Sequence, residues 1–439
     1  MRPFIKFDGD QEAEQHGGGG RSGLTRRDSL WHRPDFLKLW AGQTVSQFGA
    51  QIGLVVFPLI AVLVLHANAW QMGILMALAT LPFILIGLFA GVYVDRLRRR
   101  PLLILADVGR ALLMAAVPVL DLLGWLSMAD LYLIQFLTGC LTVLFDVAYQ
   151  SYLPSLIDRE ALNDGNGKME LTNAMSAVAG PSLGGILVRL LSAPVTLWIN
   201  GLTYMVSVVS LVAIRTGEST APRAVPGGMR SQIREGMTTV LKNPLLAPIA
   251  GSTATANLFS SVTSTLFVLF AVHQLHVAAA SIGLIYGLGS LGGVAGALLQ
   301  PNLVRRLGLG STIFGGTIVT GLSTLSIAII PASPMAVPLL TLARMGIALG
   351  ALVYNVSQVS LRQAITPGHL LGRMTASMRF IVWGTLPVGS LFGGLLGTQL
   401  GYRGALWVAG LGSLLACAWI FFSPVLALQG IPTGVENAW

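Results

Sequence analysis

Charge is what this sequence has least of. Asp, Glu, Lys and Arg make up only 10% of its 439 residues, against 54% apolar types. Soluble domains carry about a quarter charged residues, and a soluble chain of this length needs a far more polar surface to stay dispersed. Cysteine is nearly absent. Cys140 and Cys417 lie far apart inside apolar stretches, which excludes a disulfide framework and any metal-ligand spacing; both are read as small core residues. No Gly-Lys-Ser/Thr loop is present to cradle a nucleotide phosphate, so direct ATP hydrolysis is excluded. No His/Asp cluster supports a membrane enzyme, and no selectivity element marks a channel. No cofactor or metal is expected. The stretch Met1 to Lys38 is polar and charged, so no secretory signal is expected there; its glycine run after His16 reads as part of an unstructured cytosolic tail.

What is abundant is apolar sequence in runs of membrane-spanning length, with 52 Gly to permit close helix contacts in lipid. Twelve runs can each cross about 30 Å as a helix: Leu39–Val64, Met72–Val94, Leu102–Leu123, Ala129–Tyr149, Leu171–Leu191, Val195–Ile214, Leu246–His273, Ile282–Leu303, Thr312–Ile330, Met335–Val359, Thr375–Leu396 and Arg403–Pro424. The fifth opens on polar residues, and the eighth carries a Gly-rich run that could bend. The longest internal link, about Arg215 to Pro244, separates six spans from six. The expected organisation is therefore a tail and interfacial segment (1–38), a six-helix bundle (39–214), a cytosolic linker (215–245), a second bundle (246–424) and a tail (425–439), the layout of a two-bundle transporter.

With both termini placed inside, 22 of the 27 Lys and Arg fall on the inner side and two, Arg189 and Arg403, on the outer edges. Arg110, Arg344 and Arg379 lie within spans. This positive-inside bias sets the orientation. It also accounts for the net charge of +9 through anionic inner-leaflet lipid, with no nucleic-acid partner. Trp31 to Trp40, mixing aromatics with Arg33 and Lys38, reads as an interfacial segment.

The link after the second span reads Gly91-Val-Tyr-Val-Asp95-Arg96-Leu-Arg98-Arg99-Arg100. It resembles the signature loop of the major facilitator superfamily, with Arg98 where that loop has a second Gly. The resemblance implies an all-α membrane fold of twelve helices in two six-helix bundles and a functional monomer. It also implies gating roles for Gly91, Asp95, Arg96, Arg99 and Arg100. Gly292-Gly293 followed by Arg305-Arg306 echoes the loop weakly in the second half, without an Asp, and supports an internal repeat. Gly180-Pro181-Ser-Leu-Gly184-Gly185 looks like the Gly-Pro element of the superfamily's drug/proton antiporters, with Pro387 to Gly394 as a rough counterpart. These residues are read as helix-packing positions, Pro181 removing a donor, with a direct role in antiport as the open alternative. The antiporters' membrane Arg in the fourth span is Gln135 here, so coupling through it is excluded.

Finer matches are Leu39-Trp-Ala-Gly-Gln43 with Ser46, Asp107-Val-Gly-Arg110, Phe145 to Pro154, Asn173, and Gly372 to Arg379. These resemble the superfamily branch of enterobactin exporter-like, macrolide and multidrug efflux proteins, over about Asp35 to Pro424.

Ionisable groups inside spans default to functional candidates. Asp107 and Arg110, three apart, share a face and can pair; the rival to a proton-coupling role is a neutralised structural pair. Asp146 is a second proton-site candidate, against capping or pairing with Arg. The last six spans hold no Asp or Glu, so carboxylate coupling is expected in the first bundle. Arg344 and Arg379 could each bind an anionic group, pair across to the first half or snorkel, and Arg379, close to the inner edge, is expected to snorkel. Gln43, Gln47 and Gln51 share a stripe. With Asn257, Ser261, Asn355 and Gln358 they are candidates for a substrate cavity, the rival being interhelical hydrogen bonds. His66 and His273 read as interfacial. The leading reading is an alternating-access exporter of amphipathic small molecules (drug, macrolide or siderophore-like) in a bacterial inner membrane, exchanging protons and surrounded by lipid. A lipid flippase or a nutrient importer on the same fold is the alternative.

Overall fold

Lipid supplies no hydrogen-bond partners, so a chain this apolar must satisfy its backbone within helices or a closed barrel. A computed structural model describes residues 30–87, 97–157, 161–215, 229–368 and 370–431, and the regular secondary structure within them is helical. The helices are α1 (Pro34–Leu63), α2 (Ala69–Leu85), α3 (Arg99–Leu122), α4 (Met128–Leu156), α5 (Leu162–Leu191), α6 (Ala193–Ala213), α7 (Met229–Lys242), α8 (Leu246–Leu269), α9 (Ala279–Leu307), α10 (Leu309–Ile329), α11 (Ala336–Ile365), α12 (Leu371–Gln399) and α13 (Gly401–Phe421). Eleven are long and apolar enough to cross a membrane, and α2 is a shorter apolar helix of 17 residues. The eighth expected span, α9, is unbroken through its glycines. The antiporter-like fifth, α5, starts nine residues before the expected Leu171.

Local chemistry fixes the ends. Asn68 caps α2 in a reciprocal box with Gln71, and Ser127 does the same for α4 with Asp130. The turns after α1 and α8 match bond for bond. Leu65 and Ala67 donate to Ile60 and Ala61 at 3.2 and 2.8 Å, and Leu275 and Val277 donate to Phe270 and Ala271 at the same distances. His66 and His276 sit at equivalent left-handed positions, with φ of 50° and 55°. This correspondence is the internal repeat written in backbone geometry.

In the first half α1 packs on α5 and α6, and α3 on α4 and α6; in the second, α8 packs on α12 and α13, and α10 on α11 and α13. Two helix pairs make most of the contact between the halves, α2 with α12 and α5 with α9. Both joints depend on facing glycines. A Cβ on Gly73 would come within 2.9 Å of Gly394 Cα, and one on Gly185 within 2.9 Å of Gly283 Cα. In lipid, such small-residue contacts let backbones meet and supply van der Waals attraction.

The apolar cores are unequal along the bundle. Far from the face where α1 begins, one continuous core runs through both halves, from Ile52–Val62 of α1 and Met72 of α2 to Val262–Ala271, Ile282 and Leu406. Near that face, here termed the terminal face, there are two separate cores. One is built around Phe36, Phe145 and Tyr152; the other is built around Val240, Tyr354 and Met374. The halves are thus sealed at one end and parted at the other. Helix α7, within the expected linker, lies on α12: Glu235 pairs with Arg373 at 2.7 Å, and Gly236 lies against the Arg373 carbonyl.

Candidate functional site

Where the halves part, a cavity of about 520 Å³ opens between α2, α4 and α12, within the range that holds a drug-sized molecule. Each wall is a helical stripe. Val143, Asp146, Val147 and Gln150 recur at three- and four-residue spacing on α4, and Thr375, Arg379, Phe380 and Trp383 do so on α12. Phe83 of α2 meets Trp383 edge-on, with ring centroids 5.3 Å apart. Asp146 and Arg379 therefore line one cavity from opposite halves. Arg379, near the inner edge, lines this cavity and leans over the Trp383 ring at 5.8 Å.

Asp107 and Arg110 have a different setting. Asp107 is fully buried and pairs with Arg110, itself 5% exposed. The Arg110 guanidinium is held between Phe145 at 4.3 Å and Tyr204 at 4.5 Å. Ser207 lies beside the Asp107 carboxylate and accepts a hydrogen bond from Gln43 Nε2 at 3.1 Å. This network ties α1, α3, α4 and α6 together behind the cavity wall, and Asp146 lies within electrostatic reach of Arg110.

A second, neutral cavity of about 290 Å³ sits within the second half and includes Asn257, Asn355, Tyr354 and Trp383 in its lining. Asn257 Nδ2 donates to the Val382 carbonyl at 3.1 Å, and Gln358 donates to Asn355 at 2.9 Å. Of the expected cavity residues, only Asn257 and Asn355 line one of these two spaces. Gln43 is spent on Ser207. Gln51 packs against Gly180, where an added Cβ would lie 2.5 Å from Gln51 Cβ. Gln47 is half-buried on α1, and Ser261 is buried on α8. Arg344 lies over the Tyr286 ring at 4.3 Å and near Phe267 at 5.5 Å, on the sealed side of the bundle.

The Gly-Pro element serves both α1 and the other half. Gly180 and Gly184 pack on α1, while Pro181 and Gly185 meet Gly283 of α9. Gly91, Asp95 and Arg96 lie outside the described residues. Arg99 is buried at the start of α3. Arg100 donates from Nε and an Nη to the Leu211 and Val212 carbonyls at 2.9 and 2.7 Å, placing a cation on the negative end of α6. Among the described residues no group of three or more His, Cys, Asp or Glu gathers as a metal site, and Cys140 and Cys417 are free and half-buried. The cavity stripe on α12 was missed by sequence reasoning. The signal was there in the four-residue spacing of Thr375, Arg379 and Trp383.

The family described as transmembrane secretion effector, a major facilitator group, matches residues 31–433. The multidrug efflux pump Tap of Mycolicibacterium fortuitum is 27% identical over 404 residues, covering 90% of this chain and 96% of that one. The enterobactin exporter EntS of Salmonella typhimurium is 27% identical over 358 residues, covering 81% and 83%. Among solved structures, a bacterial homologue of the iron transporter ferroportin in an inward-facing state superposes with a TM-score of 0.72 at 19% identity, covering 90% and 98%. The nucleoside transporter NupG superposes at 0.70 with 12% identity, covering 88% and 98%. These last two likenesses speak to the fold alone. With the family match running almost the length of the chain, this protein belongs to the transmembrane secretion effector family of the major facilitator superfamily and is a multi-pass membrane transporter of small molecules rather than an enzyme.

Proposed function

We propose that this chain exports amphipathic small molecules, drug-, macrolide- or siderophore-like, by alternating access in exchange for protons. The observation that carries the reading is the pairing of one continuous core at one end with a parted, 520 Å³ cavity at the other. That is the asymmetry two rocking halves require. Relatives named as a multidrug efflux pump and an enterobactin exporter point to outward movement.

The terminal face is then the cytosolic one in a bacterial inner membrane, with both termini inside, as the distribution of Lys and Arg suggests. The bundles are 39–214 and 246–424, joined by 215–245, and act as a functional monomer. The loop carrying Gly91, Asp95, Arg96, Arg99 and Arg100 latches the halves. Asp146 is the proton site: its carboxylate faces the cavity, whereas Asp107 is spent on Arg110. Asp146 takes a proton when the cavity faces outward and releases it to the cytosol when the cavity opens inward. Arg110 and the Gln43–Ser207 network hold the wall in place behind it.

The test is transport by the purified chain in proteoliposomes with a pH-sensitive dye inside and a substrate panel added. Substrate-dependent proton movement, lost in Asp146→Asn with the fold intact, supports exchange at Asp146. Substrate movement with no proton movement in the native chain would overturn it in favour of a uniporter or a lipid flippase.

A further inference from the structure

The second half of the molecule has a charge problem. No Asp or Glu occurs between Glu235 and Glu436, and Glu235 is taken up by Arg373. Arg379 lies on α12 and Arg362 on α11. Arg362 is half-buried, and its Nε has no hydrogen-bond partner among the described residues. The Arg379 guanidinium thus sits at the cavity wall with no carboxylate of its own half lining that cavity. Asp146, the one carboxylate lining the cavity, faces Arg379 from the other half without forming an ion pair among the described residues. Arg379 is exposed to the cavity, and a guanidinium fork binds carboxylate, sulfonate or phosphate in a planar, two-bond geometry. Beside Arg379 the wall is aromatic, with Phe83, Phe380 and Trp383 offering a surface for a flat apolar body.

We infer that the transported molecule is an amphiphile bearing an anionic group on a planar apolar body, and that Arg379 is the residue that binds the anion. The inference rests on reading the 520 Å³ cavity as the substrate site. The substrate's anion balances Arg379 while the cavity is open, leaving Asp146 free to hold or release its proton. When the halves close without substrate, Asp146 itself becomes the nearest anion to Arg379. A neutral or purely cationic amphiphile leaves the arginine wall unbalanced and binds weakly.

Rhodamine 6G and its free acid share one planar body and differ in an ester against a carboxylate. Their binding to the purified full-length chain in phosphatidylcholine nanodiscs, read by fluorescence anisotropy against empty nanodiscs, tests the inference. The free acid is expected to bind about tenfold or more tightly than the ester, the difference one charge-assisted contact makes. Arg379→Gln should erase that preference, and Arg379→Lys should keep most of it. Equal binding of acid and ester, tighter binding of the ester, no binding of the acid, or a preference that survives Arg379→Gln would each overturn the assignment. Adding phosphatidylglycerol separates the two sources of the anion. If a lipid headgroup is the occupant, it weakens acid binding in the native chain but not in Arg379→Gln; if a soluble anion is, it leaves acid binding unchanged. A failure of proton exchange in the proteoliposome test would sink the coupling reading and leave this binding preference standing.

Discussion

Asp107 and Asp146 show how two carboxylates of like sequence context acquire opposite fates. Both were legible as intramembrane charges, and the three-residue spacing of Asp107 and Arg110 foretold their pairing. What the sequence could not carry was which one faces open space, because that depends on α12 arriving opposite α4 from more than 200 residues away. The energetic consequences differ accordingly. Asp107→Asn leaves the Arg110 guanidinium buried without its counter-ion, and breaking a buried pair from one side costs about 3–5 kcal/mol. We expect a large drop in thermal stability in detergent, partly restored when Arg110 is also replaced by Met. Asp146→Asn, on a cavity wall with no ion pair among the described residues to lose, should leave stability within about 0.5 kcal/mol of the native chain while abolishing coupling. Equal melting temperatures for the two variants would refute the contrast.

Individual helices were the best-read level, since in lipid an apolar run of sufficient length has no alternative to helix. The misses fell at the ends. Helix α5 begins at Leu162, before its apolar run, because backbone hydrogen bonding continues into the interface where hydropathy no longer signals it. Asp164 and Lys168 pair there, and Lys168 lies over Trp31 at 5.2 Å. Helix α7 was missed within the linker because its contact with α12 is made by shape. The Glu235–Arg373 pair is solvent-accessible on both sides and worth about 0–1 kcal/mol, whereas a side chain at Gly236 would collide with the α12 backbone. We therefore expect Glu235→Ala to change transport little and Gly236→Leu to undock the helix, raising proteolytic cutting between α6 and α8. Similar cutting in both variants would show that the ion pair, not the close approach, holds α7. At the joint between halves the same logic applies to Gly283. Its substitution by Leu must push α9 off α5 by several tenths of an ångström or more, and transport should fall steeply while the helices themselves persist by circular dichroism.

On the scale of the whole molecule, the decisive feature is the distribution of apolar contacts. Hydropathy reports that a segment enters lipid; it does not report which turns of that segment meet the other half. The single core on the sealed side and the paired cores on the terminal side emerge only when both bundles are assembled. The distribution makes a directional prediction once the native Cys140 and Cys417 are replaced by Ala. A cysteine at Thr375 or Gln150, on the cavity walls, should react with a membrane-impermeant maleimide added to inside-out vesicles, and bound substrate should slow the reaction. A cysteine at Ile285, wholly buried in the shared core, should stay unreactive from that side and gain reactivity from the opposite side only during turnover. Cross-linking cysteines placed at Gln150 and Gly372, on facing walls of the cavity, should stop transport by fixing the terminal ends together, with activity returning on reduction. Continued transport across that bridge would mean that the two halves do not need to part there, and the rocking motion inferred from the uneven cores would fall with it.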